Sequence, residues 1–203
     1  MTALILCRHG RTDWNDIGRY QGQTNVPLND EGRRQAAALA ELLRAEPLDA
    51  VYSSDLARAL DTAAAIARLH GLTVQPDARL REIDQGRWEG LTVPEIHARD
   101  AKLHAQWEAA PLTVRLPGGE SVRDVEQRAL AAVREVVARY PDGLVCFVTH
   151  KVVLTVIRCA LTGQPLEPAL RRLPSNASFE RVEVPAQLEP SGVAATSDRR
   201  RTG

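Results

Sequence analysis

Apolar residues along the chain follow two rhythms, short unbroken runs and helical stripes. Leu4-Ile5-Leu6-Cys7 is a short run and reads as a fully buried strand. Residues 9–29 are rich in Gly, Asn, Asp and Thr and read as a long functional loop. A helix is predicted over about 30–45, where Ala36, Leu39, Ala40, Leu42 and Leu43 form a stripe and Asn29 can cap. Asp49 to Ser53 predicts a second strand, followed by a helix over about 55–69 with Ser54 as its cap. Leu72 to Val74 is a candidate third strand. Residues 78–120 are broken by Gly86, Gly90, Pro94, Pro111, Pro117, Gly118 and Gly119, with a short helix over about 93–109 inside the stretch. Ser121 can cap a long helix over about 122–140, where Val122, Val125, Ala129, Ala132, Val133 and Val136 recur at helical spacing. Leu144 to Thr149 gives the clearest strand signal. A helix over about 151–162 ends near Gly163, and Ala177 to Val184 predicts a last strand.

Strands that alternate with helices predict an α/β sandwich with a largely parallel sheet. One domain is expected over 1–184, and the tail 185–203, with its Pro, Ser, Gly and Arg199-Arg200-Arg201, is expected to be disordered. Parallel sheets bind ligands beyond the carboxyl ends of their strands. His9 follows the first strand and His150 follows Leu144–Thr149. If those strands are parallel neighbours, both imidazoles face one crevice.

Charge narrows the ligand. Lys+Arg and Asp+Glu are both 26 in 203 residues, so the net charge is zero, and the basic excess of a nucleic-acid binder is missing. An anionic substrate needs a local cluster of positive charge instead. Lys102 and Lys151 are the only lysines. A single Arg at any one position therefore says little. Cys7, Cys146 and Cys159 are widely spaced in apolar runs, with no disulfide framework or metal-ligand spacing, which predicts small buried side chains. Free thiols, a start without a signal-peptide pattern and no apolar stretch near the ~20 residues of a membrane span lead to the expectation of a cytoplasmic protein. Asn176-Ala177-Ser178 matches a glycosylation pattern that has no consequence there.

Four clusters carry chemistry. In Arg8-His9-Gly10-Arg11-Thr12, an imidazole can attack phosphorus, Arg8 can grip phosphate in a bidentate fork, and Gly10 lets backbone approach a ligand. Arg58 stands about one turn into a helix at a strand's carboxyl end, a place suited to phosphate, although pairing with Asp55 or Asp61 is the plainer alternative. Around Gly86, Trp88 and Gly90, Glu82 offers a general acid, with Asp84 and Glu89 as rivals. His150 either donates to a phosphoryl oxygen or is a core histidine.

Together and in this order, the clusters resemble the histidine phosphatase superfamily, the phosphoglycerate mutase-like family. Arg8-His9-Gly10-Arg11-Thr12-Asp13-Trp14-Asn15 is similar to its Arg-His-Gly-x-Thr-x-Trp-Asn signature. Gln21-Gly22 with Pro27-Leu28, Gly32 and Gln35-Ala36 resembles its next block, with Asn25 where Asp is common. Ser53 to Leu56 with Arg58-Ala59 and Thr62-Ala63, then Glu82 with Gly86, Trp88, Glu89 and Gly90, continue the match; Gln85 replaces a usual Phe. Gly118-Gly119-Glu120-Ser121 and Thr149-His150 complete it, and Lys151 stands where the family often has Gly.

The resemblance implies a three-layer α/β/α sandwich and a phosphate monoester hydrolase that acts on small phosphorylated metabolites, with no cofactor and no metal. It implies that His9 becomes phosphohistidine, that Arg8, Arg58 and His150 hold the phosphoryl oxygens, and that Glu82 protonates the leaving group. Asn15, Gln21 and Gly22 join Arg8, Arg58 and His150 as substrate-binding residues. No nucleic acid or membrane partner is expected, and a homodimer is an admissible assembly. The rivals are a cofactor-dependent phosphoglycerate mutase and a non-catalytic interaction module of the same fold. Mutases of the family draw extra positive charge from the insertion after the general acid. Here residues 91–117 hold only Arg99, Lys102 and Arg115, with His97, His104 and Trp107, and they are expected to give a more open or less polar substrate wall.

Overall fold

The computed structural model describes residues 1–185. The elements run β1 (Ala3–Arg8), α1 (Asp13–Asp16), α2 (Asp30–Leu43), β2 (Ala50–Ser53), α3 (Ala57–His70), β3 (Val74–Pro76), α4 (Val93–Ala109), α5 (Val122–Arg139), β4 (Leu144–Thr149), α6 (Lys151–Thr162), α7 (Leu166–Leu170) and β5 (Phe179–Glu183), with short 3-10 turns between β3 and α4 and after α4. The sheet order is β3-β2-β4-β1-β5, parallel except for β5. The tail expected to be disordered lies outside the described residues except for Pro185.

The sheet divides two cores. Side chains alternate across a strand, so Leu4 and Leu6 enter one cluster with Val133, Phe147 and Ile157, while Ala3, Ile5 and Cys7 enter another with Leu39, Leu43, Ala63 and Ile66. Helices α5 and α6 therefore cover one face and α2 and α3 the other, which makes the expected three-layer sandwich. Every residue of β1 and β4 is buried, as unbroken apolar runs require.

Helix ends obey local chemistry at most places. The Asn29 side chain accepts the Gly32 N–H at 2.8 Å, Ser121 forms a capping box with Asp124, and Gly163 closes α6 in the left-handed conformation. Three expectations need correction. Helix α3 begins at Ala57 behind Leu56 and has no side-chain cap; Ser54 instead accepts the Leu56 N–H at 3.3 Å, and its hydroxyl faces His150. Strand β3 runs Val74–Pro76 rather than 72–74, because Leu72 packs back on the α3 end through its bond to the Ala67 carbonyl. Leu42 is exposed, so the α2 stripe is narrower than its apolar residues suggest.

The register places the chemistry. Strands β1 and β4 are parallel neighbours with Cys7 opposite Val148 and Arg8 opposite Thr149, so His9 and His150 leave the sheet side by side at the same end. Backbone packing is tight there. A Cβ on Gly10 would lie 2.5 Å from the Gly32 carbonyl oxygen, which only the absence of a side chain allows.

Candidate active site

At the carboxyl end of the sheet lies a cavity of about 580 Å³. Arg8, His9, Asn15, Gln21, Gly22 and Glu82 line it, as do Arg11, Arg19, Tyr20, Gln85, Lys151 and the loop Leu173–Asn176. Arg58 and His150 do not line it. They are fully buried, and the His150 ring centroid is 5.0 Å from that of His9. Among the described residues, the wall thus carries four cationic side chains (Arg8, Arg11, Arg19, Lys151) against one carboxylate, Glu82. This is a local positive cluster in a neutral chain.

The hydrogen bonds fix the state of His9. Its Nδ1 sits 2.7 Å from the Gly10 carbonyl oxygen, which can only accept, so Nδ1 carries the proton and Nε2 keeps its lone pair. Burial, then the charges of Arg58 and Arg8, hold its pKa well below the usual imidazole value. At neutral pH His9 is an uncharged base. His150 is likewise held neutral by burial and by Arg58.

Both arginines are anchored through their outer nitrogens. Arg8 Nη1 donates to the Pro174 carbonyl at 2.6 Å, while Arg58 Nη1 and Nη2 donate to the Thr24 and Gly22 carbonyls at 2.8 and 2.7 Å. Their Nε atoms are buried without a partner. Of eight buried side-chain polar atoms without a partner among the described residues, five belong here: Arg8 Nε, Arg58 Nε, His150 Nδ1, Gln21 Oε1 and Gln85 Oε1. Such atoms are costly unless a ligand completes them. Burial lowers Arg58 to about 10, which leaves it cationic at neutral pH.

The three rival carboxylates separate. Glu82, 5% exposed, faces the cavity, and its Oε1 accepts the Ile83 N–H at 2.9 Å. Glu89 accepts from the Gln23 N–H and the Thr24 hydroxyl, both at 2.7 Å, and so braces the loop that carries Gln21 and Gly22. Gly22 has φ +49°, and a Cβ there would strike the Glu89 carboxylate at 2.0 Å. Asp84 Oδ1 accepts the Gly86 N–H at 2.8 Å and stays off the wall. Arg58 is not paired with Asp55, which binds Arg81 at 2.5 Å.

Other supports are not visible in the sequence. Arg128, on α5, donates to the carbonyls of Arg79, Arg81 and Glu82 at 2.6–3.0 Å and pairs with Glu120, whose Oε2 also accepts the Asp84 N–H at 2.9 Å. This clamp fixes the backbone on which Glu82 stands. Asn176, first noted only within a glycosylation pattern, reaches the His9 and Gly10 carbonyls and Asn15 Oδ1 at 3.1–3.3 Å. Nothing in the sequence marked Arg128, since arginine is so common here.

The expectation that residues 91–117 form the substrate wall fails. No residue of that stretch lines the cavity; residues 14–22 and 173–176 build the wall instead. The same stretch brings donor atoms of His97, His104 and Glu108 within 4.8 Å of one another. Among the described residues, no helix is long and apolar enough to cross a membrane.

The profile of the histidine phosphatase superfamily (branch 1) matches residues 4–188. The chain belongs to the histidine phosphatase superfamily. It is 37% identical over 179 residues to phosphoserine phosphatase 1 of Hydrogenobacter thermophilus, covering 88% of this chain and 85% of that one. It is 39% identical over 176 residues to the glucosyl-3-phosphoglycerate phosphatase of Mycolicibacterium vanbaalenii, covering 81% and 76%. The solved structure of a mycobacterial glucosyl-3-phosphoglycerate phosphatase with VO3 superposes at a TM-score of 0.82 with 37% identity, covering 88% of this chain and 91% of that one.

Proposed function

We propose that this protein is a metal-independent phosphomonoesterase of the histidine acid phosphatase type that works through a phosphohistidine on His9. The observation that carries the reading is the cluster of unpartnered buried donors (Arg8 Nε, Arg58 Nε and His150 Nδ1) around a neutral imidazole. A phosphoryl group completes those donors, and fixed donors aimed at developing charge stabilise the transition state more than the ground state.

His9 Nε2 gives its lone pair to phosphorus, the P–O ester bond breaks, and the leaving oxygen takes the proton of the Glu82 carboxyl. Water then attacks the phosphohistidine, Glu82 takes its proton, and the P–N bond breaks to release inorganic phosphate. Asn15 Oδ1 is committed to the Thr12 backbone and hydroxyl at 3.1 Å, which leaves its amide N–H groups for the ligand. The substrate class is a small phosphorylated metabolite bearing a carboxylate. Arg11, Arg19 and Lys151 on the wall supply positive charge beyond the phosphoryl group, and both curated relatives have names that pair phosphate with a carboxylate.

The decisive experiment is quenching in alkaline detergent after brief exposure to labelled substrate. Wild type is expected to carry acid-labile phosphate on His9, and His9→Ala to lose both label and turnover while keeping its circular dichroism. Turnover near wild type in His9→Ala would overturn the covalent route. The same three wall cations favour a second reading, the phosphoglycerate mutase, because extra charge also holds a bisphosphorylated intermediate. With 3-phosphoglycerate, with and without 2,3-bisphosphoglycerate, inorganic phosphate is expected to outpace 2-phosphoglycerate; the reverse makes the mutase correct.

A further inference from the structure

We infer that His97, His104 and Glu108, on helix α4, form a binding site for a divalent transition metal of the zinc class, separate from the phosphoryl centre. His97 Nε2 and His104 Nδ1 are 3.0 Å apart, and His104 Nδ1 lies 3.6 Å from Glu108 Oε2. Zinc bonds of about 2.0–2.1 Å in tetrahedral geometry put neighbouring ligand atoms about 3.3 Å apart. These two separations straddle that distance, and the three donor atoms together lie within 4.8 Å of one another, so a side-chain turn of the exposed His97 or Glu108 closes the set.

The helix is shaped to bring these side chains together. Glu108 is one turn beyond His104 and shares its face. His97 stands two turns before His104, about 10.5 Å along an unbroken helix. Helix α4 breaks at Asp100, between the two imidazoles, with φ −136° and ψ 35°. The break is fixed from outside, since the buried Trp88 donates its Nε1–H to Asp100 Oδ2 at 2.9 Å. Exposed His97 and Glu108 leave the site open to solvent, while His104 is fully buried.

The surroundings supply the second requirement of a metal-bound histidine, an oxygen partner for its other ring nitrogen. His104 Nε2 sits 2.9 Å from the Tyr20 hydroxyl. With a metal on Nδ1, Nε2–H donates to the Tyr20 oxygen. Two nitrogens and a carboxylate with an open position suit zinc, cobalt or nickel better than magnesium or calcium. Tyr20 lines the substrate cavity, so the ion would stiffen that wall from behind without touching phosphorus.

The test uses untagged, chelator-treated full-length protein in a buffer free of phosphate. Co²⁺ is titrated by visible absorption and Zn²⁺ by calorimetry. One ion per chain is expected, with the absorption of four-coordinate cobalt. His97→Ala and Glu108→Gln, both at exposed positions, are each expected to weaken binding at least ~10-fold, and Tyr20→Phe by roughly 10-fold through the lost oxygen partner. His9→Ala is expected to bind as wild type does. No stoichiometric binding by wild type overturns the site. Affinity unchanged in both His97→Ala and Glu108→Gln does so as well, and binding lost only in His9→Ala places the ion at the phosphoryl centre instead.

Discussion

The Ser54 hydroxyl is hydrogen-bonded to His150 Nε2. Its hydroxyl oxygen accepts the Leu56 N–H at 3.3 Å and lies 2.8 Å from His150 Nε2, the one acceptor its proton is seen to reach. When the Ser54 hydroxyl donates to Nε2, the proton of the imidazole sits on Nδ1, the buried nitrogen without a partner. A residue expected to cap a helix thus primes a donor for the phosphoryl group. Ser54→Ala is expected to lower kcat about 10-fold, near 1.4 kcal/mol, with little change in KM. Nitrogen chemical shifts of His150 check the cause, since the variant should show a mixture of tautomers. An unchanged tautomer with a lowered rate would place the effect elsewhere.

Glu82 lines the cavity, whereas Asp84 and Glu89 do not. The expected signature of Glu82→Gln follows from leaving-group chemistry. An alkyl alkoxide needs a proton, and p-nitrophenolate departs almost unaided. The variant is expected to lose on the order of 100-fold or more on an alkyl phosphate and less than about 10-fold on p-nitrophenyl phosphate. Equal losses would leave Glu82 a loop residue only.

Stability should depend on pH through the two site histidines. His9 and His150 both have pKa values pushed well below the ordinary value of about 6.5 by burial and by neighbouring arginines. The unfolded chain thus binds protons that the folded chain refuses. Their contribution is complete above about pH 6.5 and is lost as pH falls from there toward the folded values, with a limiting slope near 1.4 kcal/mol per pH unit for each group. Urea midpoints between pH 7.5 and 5.5 are expected to fall in wild type. His9→Gln should flatten that fall, and an unaltered profile would show that His9 is not held neutral.

The alternation of apolar runs and helical stripes made the layers and five strands legible, because burial writes itself into periodicity. The pairing of His9 with His150 was legible for the same reason, since both follow unbroken buried strands. What the pattern could not show depends on contacts between distant segments. Arg128 reaches the Glu82 backbone across 46 residues, Ser54 reaches His150 across 96, and Asn176 reaches His9 across 167. The three histidine and carboxylate donors of α4 escaped notice because a helix break, absent from any spacing rule, brings them together. Residues 91–117 were misplaced on the wall because a stretch's length and polarity do not fix where it folds.

Lys151 tests what the cavity recognises beyond phosphate. It is the first residue of α6, directly after His150, and its side chain joins the cavity wall. Burial lowers its pKa, and the charge of Glu82 opposes that shift. A cation there can grip a second anionic group on the substrate or serve the phosphoryl group itself, and kinetics separate the two. Lys151→Met keeps the length of the stem and removes the charge. With a carboxylated monoester such as phosphoserine, KM is expected to rise about 10-fold, the cost of one part-buried charge pair at about 1.4 kcal/mol. With phosphoethanolamine, which has no carboxylate, KM is expected to change less than about twofold, and kcat should hold on both, since uniform binding alone is lost. Equal losses in kcat on both esters would assign Lys151 to the transferring phosphoryl group and remove the carboxylate from the proposed substrate class.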